Sequence, residues 1–90
     1  MKILTTFVRN HDTKNKTIYY AGENCKLKDW KESETRSGFK IEITAESGET
    51  FWIDGGLVIP HTIIEKIKAM TSQDKKKYLD NTVNGDKYNI

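Results

Sequence analysis

The residues best suited to chemistry are two histidines, one cysteine and a few carboxylates. His11 and His61 would make a general acid/base pair only if they converged and a third group oriented one of them. One sits in a polar connection and the other at a helix start, so two isolated surface histidines are expected. A hydrolase or nuclease using His11 or His61 is the most remote of three readings. His11 with Asp12 is a weak metal pair, because two ligands without helical spacing do not make a site. Cys25 as a nucleophile needs a thiolate-stabilising neighbour. On a strand its neighbour Lys26 points to the opposite face, so a small buried hydrophobe is expected. Asp54, Glu42 and Glu49 could gather a divalent cation, but a solvated acidic hairpin fits them better. Gly55-Gly56 belongs to no phosphate-loop pattern and reads as a tight turn. No catalytic residue, metal centre or cofactor is therefore expected, and the protein reads as non-enzymatic.

Binding is the other kind of chemistry on offer. Trp52, Trp30 and Arg9 are candidates for a protein contact, since interface hot spots favour Trp, Tyr and Arg. The leading expectation is a small module that engages another protein as an inhibitor or accessory factor. The alternative is RNA or single-stranded DNA held by cations and aromatic stacking. Its candidates are Arg9, Lys14, Lys16, Tyr20 (or Tyr19), Lys26, Lys28, Trp30 and Lys31. No established nucleic-acid motif accompanies them. Lys75-Lys76-Lys77 reads as a solvated helix face.

Charge separates the two readings. The 90 residues carry a net +2, too little to imply nucleic acid. Residues 1–31 hold seven basic and three acidic groups, residues 32–54 two and six, and residues 55–90 six and four. A basic start, an acidic middle and a mildly basic end suit steered docking to a charged partner. Pairing of basic and acidic strands within the molecule is the favoured account, because opposite charges commonly pair across antiparallel strands. One cysteine allows no internal disulfide, and a reducing compartment is the simpler reading. No apolar stretch approaches the length of a membrane span or signal peptide, so a cytoplasmic location without membrane contact is expected.

The elements that must position these residues are mostly strands. Ile3–Val8 has apolar groups at both parities, which predicts a central strand buried on both faces. A polar connection over residues 9–16 leads to Thr17–Ala21, ended by Gly22, so the two form a hairpin. Cys25–Lys31 fits a third, edge-like strand guarded by lysines. Glu32–Gly38 lacks apolar residues and reads as an exposed loop. Phe39, Ile41 and Ile43 alternate with polar residues, and Thr50–Ile53 is the return strand. A two-residue turn would put Ile43 opposite Trp52 and strand Phe51 and Ile53 on the polar face. A three-residue Glu46-Ser47-Gly48 turn collects all five apolar groups on one face, with Gly48 in the left-handed position. Trp52 then lies opposite, with Lys40, Glu42 and Thr44. It is either covered by a C-terminal segment or exposed as an anchor.

Leu57–Ile59 reads as a last short strand. Thr62 with Glu65 predicts a capping box opening a helix with Ile63, Ile64, Ile67 and Met70 on one face. Thr71 with Asp74 opens a second helix over Ser72–Asn81. Residues 82–90 read as a weakly ordered tail pinned by Val83, Tyr88 or Ile90. The fold class is α+β, one domain over residues 1–81. It has an antiparallel sheet of four to six short strands, or a small curled barrel, followed by one or two C-terminal helices.

Overall fold

Two hairpins dominate the chain, and they do not join into one sheet. A computed structural model describes residues 1–88. Strands β1 (Phe7–Asn10) and β2 (Lys16–Tyr19) form a two-stranded antiparallel ribbon. Strands β3 (Cys25–Glu32), β4 (Phe39–Ala45) and β5 (Thr50–Asp54) form a three-stranded antiparallel sheet in that order. Two helices follow, α1 (His61–Lys68) and α2 (Ser72–Tyr88). The class is α+β, with five strands split between two sheets rather than one continuous sheet. Among the described residues no barrel closes.

The β4–β5 turn takes the three-residue form. Ile43 lies opposite Phe51 and Ile41 opposite Ile53. The Ala45 N–H donates to the Glu49 carbonyl and the Gly48 N–H to the Ala45 carbonyl, each at 2.9 Å. Gly48 has φ of 89°, a backbone state that costs a side-chain-bearing residue energy. Phe39, Ile41, Ile43, Phe51 and Ile53 are consequently all buried on one face. Helix α2 lays Leu79 and Val83, one turn apart, into the same core, and α1 adds Ile64 and Ile67.

Several expectations need correction. Ile3–Val8 is not a central strand. Lys2 makes an isolated bridge to Asn24, and the strand begins at Phe7. A two-stranded ribbon can bury only one face, so Ile3 and Phe7 turn inward while Leu4 and Val8 stay exposed. Leu57–Ile59 is not a strand either. The Asp54 carboxylate accepts from the Gly56 N–H at 2.9 Å and starts a 3-10 turn over Gly55–Leu57, which tucks Val58 and Ile59 into the core. The Thr62–Glu65 capping box does not form. Pro60, with its φ preset near the helical value, accepts from Ile63 and Ile64 through its carbonyl, which places Thr62 inside the first turn. Ser37, within a loop expected to be exposed, is buried.

The second helix is capped as expected, the Asp74 N–H donating to Thr71 Oγ1 at 3.2 Å. It runs on through Tyr88 where a loose tail was expected from residue 82. Val83 is buried, and Asp86 is tied to both the Leu27 N–H and the N-terminal ammonium, which holds the added turns against β3. The side chain of Tyr88, and Ile90, lie outside the described residues.

A Cβ on Gly55 would overlap the Phe39 ring, a fully buried core side chain. Gly55→Ala is therefore expected to cost about 1–3 kcal/mol. Chemical denaturation of the variant measures this, and an unchanged midpoint would contradict the close packing.

Candidate functional site

One carboxylate joins the ribbon to the sheet. Glu49, first residue after the β4–β5 turn, accepts from the Arg9 guanidinium through Oε1 and from the Tyr19 hydroxyl through Oε2. Beneath it Phe7 stacks on Tyr19 (ring centroids 5.2 Å apart), and Tyr19 meets Phe51 at 4.9 Å. The Arg9 guanidinium lies 4.5 Å from the Phe51 ring centroid, so its charge faces an aromatic surface as well as an anion. The Tyr19 hydroxyl and then Arg9 and His11 hold the Glu49 carboxyl below its ordinary range. Burial, reinforced by the Glu49 anion, pushes the Tyr19 hydroxyl up.

His11 belongs to the edge of this cluster. Its Nε2 lies 2.7 Å from Thr17 Oγ1 and its Nδ1 3.8 Å from Glu49 Oε1. The order hydroxyl, imidazole, carboxylate is that of a nucleophilic relay. At 3.8 Å the carboxylate is too distant to orient the ring, and its oxygens are engaged by Arg9 and Tyr19. His61 stands on another element with only Glu65 beside it, at 3.7 Å. The carboxylates also separate. Glu49 and Asp54 occupy opposite ends of β5, roughly 17 Å apart, and Glu42 points from the sheet's outer face. No group of three or more His, Cys, Asp or Glu among the described residues could hold a metal ion. Cys25 is buried, and burial pushes its thiol up, which keeps it protonated and unreactive.

The binding candidates fall on different surfaces. Arg9 is engaged by Glu49. Trp30 is half-buried on the inner face, where its indole N–H donates to Asp80 of α2 at 2.6 Å. Both therefore connect elements within the molecule. Lys14 and Lys16 lie at the ribbon tip and Tyr20 just past β2, whereas Lys26, Lys28 and Lys31 lie along β3. Lys28 falls at an irregularity where the β3–β4 register shifts.

Trp52 has a different setting. It pairs with Glu42 on the outer face of the three-stranded sheet, which also carries Lys26, Asp29, Lys31, Lys40, Thr44 and Thr50. All of them retain exposure, in contrast to the buried inner face. Lys31 Nζ sits 4.3 Å from the Trp52 ring centroid. Beside this face β5 is an edge strand. The Ala45–Glu49 hydrogen bond sets the ladder alternation, so Ile43–Phe51 and Ile41–Ile53 exchange bonds. The N–H and C=O groups of Thr50 and Trp52 then point to the open edge.

Sequence reasoning missed the internal roles of Asp80, Asp86 and Ser37. No local pattern marks them, because their partners lie 17 to 59 positions away or at the chain start. Comparison with known protein families, curated proteins and solved structures finds no match for this chain.

Because the folded-state pKa of Glu49 is depressed, the stability it contributes is present above the ordinary glutamate value and lost as pH falls through the folded value. Glu49→Gln is expected to be less stable than wild type at about pH 7, with the gap narrowing as pH falls below the ordinary glutamate range. Urea melts across this pH range test this, and a gap independent of pH would remove the charge from the account.

Proposed function

We propose that this chain is a non-enzymatic module that binds another protein through the outer face of its three-stranded sheet, with Trp52 at the centre. The supporting observation is a large aromatic on a solvent-facing sheet surface, next to an open strand edge. An extended segment of a partner could add to β5 through the backbone groups of Thr50 and Trp52, while Trp52 supplies apolar contact. The inhibitor or accessory role follows from this reading, because such a surface occupies a partner without performing chemistry. The single buried thiol supports action in a reducing, cytoplasmic compartment. No helix among the described residues is long and apolar enough to cross a membrane.

The same face gives single-stranded nucleic acid a second reading, since Lys31 lies over Trp52 and Lys26 and Lys40 share its face. Glu42 and Asp29 lie among those lysines and oppose a polyanion, so the mixed charge favours a protein surface.

Affinity capture from lysate of the source cell, after nuclease treatment, tests the reading through variants. Trp52→Ala removes the anchor at an estimated cost of about 2 kcal/mol or more in binding. Thr50→Pro removes an outward N–H that an edge strand can lose. Both variants should still melt cooperatively as folded proteins and lose the retained protein. Retention unchanged in both would overturn the proposal. Captured material that vanishes with nuclease or moderate salt would support nucleic acid instead.

A further inference from the structure

At the end of β5 away from Glu49, a cleft of about 540 Å3 opens between residues 36–37 and α1. Its floor is the Ser37–Asp54 pair. The Asp54 carboxylate accepts from the Ser37 hydroxyl at 2.7 Å, the Ser37 N–H at 3.2 Å and the Gly56 N–H at 2.9 Å. Burial works to raise this carboxyl, but the hydrogen bonds from Thr35, Ser37 and Gly56 outweigh it and hold it below the ordinary range. The carboxylate is therefore ionised, with its hydrogen bonds made within the protein.

The rim is cationic. Arg36 and Lys68 both line the cleft, and neither makes an ion pair among the described residues. His61, with Glu65 3.7 Å from it, also lines the cleft, on the same face of α1 and seven positions before Lys68. Two fixed cations and an imidazole thus line one concave space, with the Asp54 carboxylate as the one anion among its described lining residues. Leu57 and Ile64 supply an apolar wall next to them.

We propose that this cleft binds a small phosphoryl dianion carried on an apolar body. The two fixed positive charges outnumber the one carboxylate, and a phosphoryl group with two negative charges draws on both of them. The guanidinium of Arg36 presents a planar fork of donors suited to a phosphoryl oxygen pair, and Lys68 acts as a point charge beside it. The apolar body lies against Leu57 and Ile64, the arrangement of small-ligand sites in which a few polar groups orient an otherwise apolar contact. The site is separate from the Trp52 face and stands or falls independently of it.

NMR titration of the whole protein with phenyl phosphate, inorganic phosphate and benzyl alcohol tests the proposal. Phenyl phosphate should saturate in the millimolar range or tighter, with shifts confined to residues 36–37, 56–57 and 61–68. Inorganic phosphate should bind the same residues more weakly, and benzyl alcohol should not saturate. Arg36→Ala and Lys68→Ala should each weaken phenyl phosphate by roughly tenfold. Both side chains are exposed, so the spectra should otherwise remain those of the folded protein. Lys76→Ala, a lysine outside the cleft, should change nothing. The proposal is overturned by non-saturating shifts, by equal weakening in Lys76→Ala, or by inorganic phosphate binding as tightly as phenyl phosphate.

Discussion

Ile43 against Phe51 and Ile41 against Ile53 are the pairs on which the other elements rest. With Phe39 they present a continuous apolar surface, and each further element contributes side chains that need such a surface. Helix α2 brings Leu79 and Val83, α1 brings Ile64 and Ile67, and the 3-10 turn brings Val58. A slip of one residue between β4 and β5 would put Trp52 inside and Phe51 and Ile53 outside. The same register that builds the core therefore also decides which aromatic faces solvent.

Hydrophobic burial holds these elements together without orienting them, because it has no direction. Orientation comes from carboxylates that accept hydrogen bonds from distant parts of the chain. Glu49 gathers Arg9 and Tyr19 of the ribbon, and Asp80 holds Trp30 of β3. Asp54 ties the loop before β4 to the turn after β5. Asp86 joins α2 to β3 and to the chain's first residue. Hydrogen bonds to charged acceptors are stronger than neutral ones, and long loops make each such contact a real restriction on the fold.

This use of acids inside the molecule shapes its surface. Four carboxylates are committed to internal donors, while Lys31 and Lys40 remain on the sheet face and Arg36 and Lys68 on the cleft rim. A near-neutral chain thereby acquires local positive surfaces. On the sheet face Glu42 and Asp29 temper that charge. In the cleft Asp54 tempers it, although its carboxylate is turned toward Ser37 and Gly56.

By itself the sequence determined what depends on neighbours close along the chain. The alternation of Phe39, Ile41 and Ile43, with a glycine able to adopt positive φ, was enough to settle the β4–β5 turn and to leave Trp52 on the opposite face. The cap at Thr71 and the edge position of β3 were legible for the same reason. Tertiary structure decided whatever required a distant partner. Ile3–Val8 looked central because apolar residues occur at both parities, yet β1 pairs only with β2 and its second face has nothing to cover it. Leu57–Ile59 had strand composition, but the carboxylate of Asp54 wound it into a turn. The second helix passed its expected end at Asn81 because Val83 found the core and Asp86 found Leu27. Arg9 and Trp30, marked by type as binding residues, took internal partners. Which of two equally suitable side chains stays free is set by what packs beside it, and no local pattern carries that information.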